Sequence, residues 1–114
     1  MTSKCNSVTI CPVKYAPKIG NLLTEINKAI AQGKYLDTRH SIKRQSERNI
    51  TRYEVLQALT SGFHEKRKDV FDLRFKEWNY AIRGKTIDRK DLRIIISFDQ
   101  ANMIIITAIE LMKR

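Results

Sequence analysis

Two long apolar runs close to the C-terminus place the strongest constraint on how this chain folds. Residues 92–98 include Ile94, Ile95 and Ile96 in succession, and residues 103–109 form a second run of the same kind. Nearly continuous apolar runs of this length are typical of strands in the centre of a sheet. Because the residues between the runs, 99–102, are mostly polar, they predict a turn. The sequence therefore predicts that two central strands lie at the end of the chain.

An alternating pattern predicts a further strand just before these runs. In residues 77–83 the side chains of Trp78, Tyr80 and Ile82 alternate with more polar neighbours. A period of two is the mark of a half-buried strand. Another strand is expected near residues 68–76, where the pattern does not define its register.

The N-terminal half has the spacing of helices instead. Apolar residues recur every three or four positions from Pro17, and Gly33 is placed to end this first helix. Pro17 suits the first turn of a helix, where its missing N–H is not needed. The apolar positions are Ile19, Leu22, Leu23, Ile26 and Ile30.

The second predicted helix, residues 39–48 with Thr38 as its N-cap, is unusually polar. Ile42 is almost its only apolar residue. A helix without a wide apolar face is not held by hydrophobic packing alone. We therefore expect it at the surface or at the edge of a cleft. A short strand is expected at residues 35–37, just before it.

Thr51 is expected to be the N-cap of a third helix, because Glu54 follows three positions later in the arrangement of a capping box. Gly62 is expected to end the helix. The residues predicted to form its buried side are Val55, Leu56, Leu59 and Phe63.

Together these elements predict one α+β domain over residues 17–114, with N-terminal helices packed on one face of a sheet of three to five antiparallel strands. A chain of 114 residues has room for one core of ordinary size. Residues 1–16 are expected to be an N-terminal arm or an edge strand, with a short strand around Val8, Ile10 and Val13.

The charge of the chain indicates the kind of partner it binds. The sequence has 22 Lys and Arg against 12 Asp and Glu, a formal net charge of +10. A charge of this size favours nucleic acid, an anionic membrane surface or an acidic protein as partner. RNA is the partner we expect first, and a solvated basic face without function is the alternative.

The remaining composition says little about specialised chemistry. Cys5 and Cys11 are too far apart for a CxxC site, and two free thiols are expected, with a local disulfide as the alternative. We find no pattern of a signal peptide or a transmembrane segment, so a cytoplasmic location is expected. The pattern also lacks a glycine-rich phosphate loop, a nucleophile triad and a cluster of acidic metal ligands. No metal and no cofactor are therefore predicted.

The polar second helix carries the most suggestive group of side chains. His40, Arg44 and Arg48 are spaced four residues apart and share one side of the helix. A histidine can transfer protons near neutral pH, and arginines can hold a phosphate through paired hydrogen bonds. These three residues are the candidate catalytic set. The alternative is that His40 packs or caps locally and that the arginines are simply solvated.

Further cations on the helix and near the strand ends are candidates for RNA binding. Aromatic residues interleave with the cations of the strands, and such pairs can stack unpaired bases while cations hold phosphates. Because of the alternation, we expect Trp78 and Tyr80 to face the core instead. His64 is interpreted as a surface histidine. The candidate RNA-binding residues are Lys43, Arg83, Lys85, Arg89 and Lys90.

The order of several short motifs over residues 35–111 resembles a bacterial family. The motifs run from the segment 36–41 through Arg44, the junction 48–51 and Gly62 to the aromatic strand, the Gly84-Lys85 turn and the Ile106-Thr107-Ala108 ending. The pattern is similar to the domain-of-unknown-function family numbered 4258, grouped with BrnT- and MqsR-like toxins in the RelE/ParE-like superfamily. Asn49 stands where the family has glycine, and asparagine also tolerates a left-handed turn.

The resemblance implies a RelE-like fold and a metal-independent endoribonuclease of the toxin–antitoxin type. Such an enzyme moves the ribose 2′-oxygen onto the adjacent phosphate. His40 and Arg44 match motif positions and would provide acid–base catalysis and phosphate binding, while Arg48 matches the junction arginine. An acidic antitoxin would then be a partner. The rival hypotheses are a non-catalytic module that binds RNA or an acidic protein, and an accessory protein that keeps the fold without the activity.

Overall fold

The computed structural model describes residues 17–99 and 102–111. Three α-helices come first and most of the strands follow, as the sequence predicts. A single turn of 3-10 helix, Lys66–Lys68, separates the second and third strands. The elements are α1 (Leu22–Gln32), β1 (Tyr35–Asp37), α2 (Arg39–Glu47), α3 (Arg52–Ser61), β2 (Phe63–His64), β3 (Val70–Asp72), β4 (Glu77–Lys85), β5 (Asp91–Phe98) and β6 (Met103–Glu110).

The described strands form one six-stranded sheet in the order β1-β6-β5-β4-β2, with β3 also paired to β4. The two apolar runs are β5 and β6, and each has a neighbouring strand on both sides, which confirms them as central strands. The expected sheet of three to five antiparallel strands is wrong in two respects. The observed sheet has six strands, and β1 pairs with β6 in parallel. The parallel pair arises because β1, which lies between α1 and α2, adds to the far side of the last strand and runs in the same direction.

The core lies between one face of the sheet and the helices α1 and α3. Ile26 of α1 and Val55 of α3 are fully buried, and they belong to the same cluster as Ile82 and Ile94 of the sheet. The α+β class and the packing of N-terminal helices on the sheet are therefore confirmed. α2 makes its main contacts with β6 rather than with this core.

The helix ends follow the sequence signals closely. Gly33 ends α1 in the left-handed region at φ 69°, where glycine has no steric penalty. Thr38 caps α2 by accepting a hydrogen bond from the backbone N–H of Ser41. The capping box of Thr51 and Glu54 is present at the start of α3. α1 itself begins at Leu22, five residues after Pro17, which precedes the helix instead of lying in its first turn.

The expected strand at 68–76 is shorter than predicted. Only residues 70–72 are extended, because the Asp72 carboxylate accepts hydrogen bonds from the backbone N–H groups of Arg74 and Phe75 and so closes a turn. Lys76 completes the turn at φ 56°. Consequently Phe75 lies in the turn and is 63% exposed.

Residues 1–16 lie outside the described part of the chain. The predicted N-terminal arm, its short strand and the two cysteines therefore stay predictions. Within the described ranges, we find no helix that is long and apolar enough to cross a membrane.

Candidate nucleic-acid interface

The polar helix α2 is fixed to the sheet by hydrogen bonds on its inner side. The Asp37 carboxylate accepts from Ser41 Oγ at 3.2 Å and from Gln45 Nε2 at 2.9 Å. The same carboxylate forms an ion pair with Arg52 at 3.1 Å. The Thr38 hydroxyl donates to the carbonyl of Ile106 on β6. Because these groups satisfy one another, a helix almost without apolar side chains can still be held in place.

The outer side of α2 carries the cations. His40 and Lys43 are exposed, and Arg44 is about two-fifths exposed while its guanidinium lies 2.9 Å from the Glu47 carboxylate. His40 has no hydrogen-bonding partner among residues 17–99 and 102–111. The structure thus places His40, Lys43 and Arg44 together on one exposed surface, which we call the α2 surface.

Arg48, the third residue of the predicted catalytic set, has a different environment. Its Nη1 donates to the carbonyl oxygen of Ala108 on β6 at 2.8 Å. β1 pairs only with residues 103–105 of β6. Further along β6 the backbone carbonyl groups on this side have no described strand beside them, and Arg48 donates to one of these carbonyls. Arg48 therefore contributes to the attachment of α2. This bond uses one of the five N–H donors of its guanidinium.

Arg83 lies in a second charged cluster, on the sheet face opposite the core. Its guanidinium donates two hydrogen bonds to Asp91, at 3.1 and 2.7 Å. The neighbouring Arg93 donates two to Glu65, at 2.7 and 3.2 Å. Arg83 also lies 3.7 Å from Glu65, so the two acids and two arginines form one network.

These contacts shift the ionisation of both carboxyl groups. The pKa of Glu65 is lowered chiefly by the hydrogen bonds from Arg93, against the opposing effect of burial. The pKa of Asp91 is lowered chiefly by the hydrogen bonds from Arg83. Both acids are therefore stabilised in the charged form. The cluster is largely neutralised internally.

The loop between β4 and β5 carries the other predicted RNA-binding residues. Lys85 is exposed at the end of β4, and Arg89 is exposed at φ 67°. Lys90 instead forms an ion pair with Glu54 at 3.1 Å and donates to the carbonyl of Asn49 at 3.0 Å. The pKa of Glu54 is lowered, first by the backbone N–H of Thr51 and then, against burial, by Lys90.

The predicted RNA-binding residues near the β4–β5 loop differ in their distance from α2. Lys90 touches Asn49, the residue after Arg48, so this loop lies beside the end of α2. Arg83 and Lys85 lie on β4, which is two strands away from β6 and hence about 10 Å from it.

The histidine and aromatic predictions have mixed outcomes. Tyr80 is 3% exposed in the core and Trp78 packs against the core, as expected. The surface interpretation of His64 is wrong, because its side chain is 12% exposed and its Nε2 lies 2.7 Å from the fully buried Asp69 carboxylate. The signal that could have suggested this pairing is the acid five residues after the histidine.

Phe63 is the largest departure from the sequence analysis of this surface. We expect it on the buried side of α3, yet it belongs to β2 and is 56% exposed. Gly62 ends the helix in an extended conformation, and the chain then pairs with β4. The helical spacing from Leu59 predicts the wrong side because the helix has already stopped.

In the described residues, no group of three or more His, Cys, Asp and Glu side chains is arranged to hold a metal ion. The fold and the charged surfaces define a small basic α+β domain. Residues 38–110 match the family model described as a domain of unknown function, DUF4258, and the chain belongs to that family. The match begins at Thr38, the N-cap of α2. Comparisons with curated proteins and with solved structures gave no significant match.

Proposed function

We propose that this domain is a metal-independent endoribonuclease of the toxin–antitoxin type, with a RelE-like fold. The observation that carries the proposal is the α2 surface, where an imidazole and a guanidinium lie one helical turn apart and face outward. Residues four apart on a helix have Cβ atoms about 6 Å apart. A phosphodiester with its ribose can contact both groups at that spacing.

In the proposed reaction, His40 accepts the proton of the ribose 2′-hydroxyl while the 2′-oxygen forms a bond to phosphorus. The bond from phosphorus to the 5′-oxygen breaks, and that oxygen takes a proton from water. The products are a cyclic phosphate and a 5′-hydroxyl. Arg44 offsets the negative charge that grows on the phosphate. Its exposed ion pair with Glu47 is worth at most about 1 kcal/mol, so a phosphate can displace the carboxylate.

The charge of the molecule supports RNA as the substrate and a small acidic protein as the inhibitor. Lys43 lies on the α2 surface and Lys85 and Arg89 are exposed elsewhere, so the RNA backbone can be held by cations on several elements. An acidic antitoxin would compete for the same cations. We expect the nuclease to act on RNA in the cytoplasm.

The test is incubation of the purified protein with total RNA in EDTA. We expect cleavage by the wild type and a reduction of at least about tenfold in His40→Ala and in Arg44→Ala, since a positioned acid or base contributes at least this much. Lys68→Ala is the matched control, because it removes one exposed positive charge from the 3-10 turn at the other edge of the sheet. Cleavage that continues unchanged in both α2 variants would remove His40 and Arg44 from the mechanism.

A non-catalytic binding module is the second candidate, and one observation favours it. No group in the described part of the chain orients the His40 imidazole, whereas catalytic histidines are usually oriented by a hydrogen bond. This candidate predicts binding that weakens steeply with salt and no product with or without EDTA. RNA binding without cleavage by the wild type would support it over the nuclease.

A further inference from the structure

A cleft at the end of β4 combines an exposed aromatic ring with two cations. Phe63, Arg83, Lys85 and Asp91 line it. Phe63 and Arg83 are directly opposed in the β2–β4 pair. Opposed residues of an antiparallel pair project to the same face with Cβ atoms about 5 Å apart. The ring and the guanidinium are therefore neighbours on the open side of the sheet.

The backbone holds Phe63 in this outward position. A Cβ atom on Gly62 would lie 2.5 Å from the carbonyl oxygens of both Ala58 and Arg83. Only glycine therefore allows α3 and β4 to approach so closely at the point where the chain leaves the helix. The next residues pair with β4, so the ring of Phe63 is fixed at 56% exposure instead of folding back into the core.

The two cations beside the ring differ in their bonding partners. Arg83 is held by its two hydrogen bonds to Asp91, so its charge is offset and its plane is fixed. Lys85 is exposed and forms no ion pair among the described residues. The three charged side chains of the cleft, two positive and one negative, leave a net charge of +1. A ligand with one flat apolar group and one adjacent negative charge matches this arrangement.

We propose that Phe63 stacks on an unpaired nucleobase of bound RNA while Lys85 contacts the adjacent phosphate. The RNA partner is taken from the proposed function, and the inference adds a base-binding site on a different element from the α2 surface. Every nucleobase has a face that can stack, so the site favours single-stranded RNA without selecting a sequence. If an acidic protein occupied the cleft instead, no nucleobase would stack on Phe63.

The experiment uses a single-stranded RNA with 2′-O-methyl groups, which cannot be cleaved, and one 2-aminopurine whose fluorescence falls on stacking. We expect quenching by the wild type and by Phe63→Trp, which keeps a ring. Phe63→Leu keeps an apolar side chain but removes the ring. We expect it to lose the quenching and to weaken binding by about tenfold. Phe75→Leu is the matched control, since Phe75 is an aromatic residue of the turn after β3, outside this cleft, with 63% exposure.

The outcomes separate this inference from the proposed function. Binding of the RNA with quenching that is unchanged in Phe63→Leu would overturn the stacking site and leave the nuclease untouched. Ring-dependent quenching together with no cleavage of unmodified RNA in EDTA would support the site and overturn the nuclease. Failure of the wild type to bind this RNA would overturn the stacking site, and failure to cleave unmodified RNA in EDTA as well would overturn both. Urea unfolding of Phe63→Leu should match the wild type, which excludes misfolding as the cause of any loss.

Discussion

The two edges of the sheet each contain a buried carboxylate, but the groups that satisfy the carboxylate differ between the edges. At the α2 edge, formed by β1 and α2 against β6, the buried carboxylate is Asp37, whose side chain is 6% exposed. At the β2 edge, formed by β2, the 3-10 turn and β3 against β4, Asp69 is bound by His64 and Lys18, and the buried carboxylate that binds arginines is Glu65, with 5% exposure. Asp37 accepts hydrogen bonds from the neutral Ser41 and Gln45 and forms one ion pair, with the half-exposed Arg52, whereas Glu65 binds two arginines.

This difference decides which cations are available to a ligand. At the α2 edge the Asp37 carboxylate is satisfied by groups on the inner side of α2. The cations of the α2 surface therefore face solvent, and Arg44 pairs with the exposed Glu47 on the same helix. At the β2 edge the two arginines of the sheet face, Arg83 and Arg93, are bound by acids, and the exposed ring of Phe63 lies opposite Arg83. We infer that the α2 edge contributes charge to RNA binding and that the β2 edge contributes stacking.

Removing Glu65 should give the largest loss of stability of the changes that test this comparison. In Glu65→Ala, Arg93 loses both of its hydrogen bonds and the Arg83 charge loses one of its two acidic neighbours. Removing one partner of a buried ion pair typically costs about 3 kcal/mol or more. Urea unfolding measures the loss. Glu25→Ala is the control, because its exposed pair with Lys28 spans 3.9 Å and should contribute less than about 0.5 kcal/mol.

Removing Asp37 should have a smaller effect on the free energy of unfolding. In Asp37→Ala, Ser41 and Gln45 can still bond to each other at 2.8 Å, so only part of the inner network is lost. We expect about 2 kcal/mol, close to the cost of leaving buried donors without an acceptor. Amide hydrogen exchange should localise the effect to α2. A loss as large as that of Glu65→Ala would contradict the distinction between an acid held by neutral donors and one exposed arginine and an acid held by two arginines.

Lowering the pH should give the smallest of these losses of stability, and the loss should arise from Glu65 at the β2 edge. The pKa of Glu65 is lower in the folded chain than its ordinary 4.5. Below about that pH the unfolded chain binds more protons, so the contribution of Glu65 is complete above it and is lost as the pH falls. Unfolding measured from pH 7 to pH 3 should therefore show a shallower acid dependence in Glu65→Gln than in the wild type. Equal slopes would mean that Glu65 does not contribute to the acid sensitivity.

The sequence predicts local features well, because their causes lie within a few residues. The caps at Thr38 and Thr51, the end of α1 at Gly33 and the two central strands depend on backbone hydrogen bonding and on apolar runs that can be read directly. The polarity of α2 also correctly places it outside the core. The family, too, follows from motif order alone.

What the sequence misses depends on residues far apart in the chain. Arg48 has the spacing of a catalytic residue, and only the neighbouring β6 makes it a partner of the Ala108 carbonyl. His64 has the composition of a surface loop around it, and only the fold places Asp69 against it. The parallel β1–β6 pair joins residues almost 70 positions apart, and no local pattern encodes such a pairing.

By itself the sequence determined the class of the fold, the helix boundaries set by capping residues and the excess of positive charge. The tertiary structure decided which cations face solvent and which are bound by acids, because that depends on which strands become neighbours. It also decided that Phe63 is exposed. The reason is physical: capping and periodicity act over a few residues, whereas charge pairing and burial are settled only when distant segments meet.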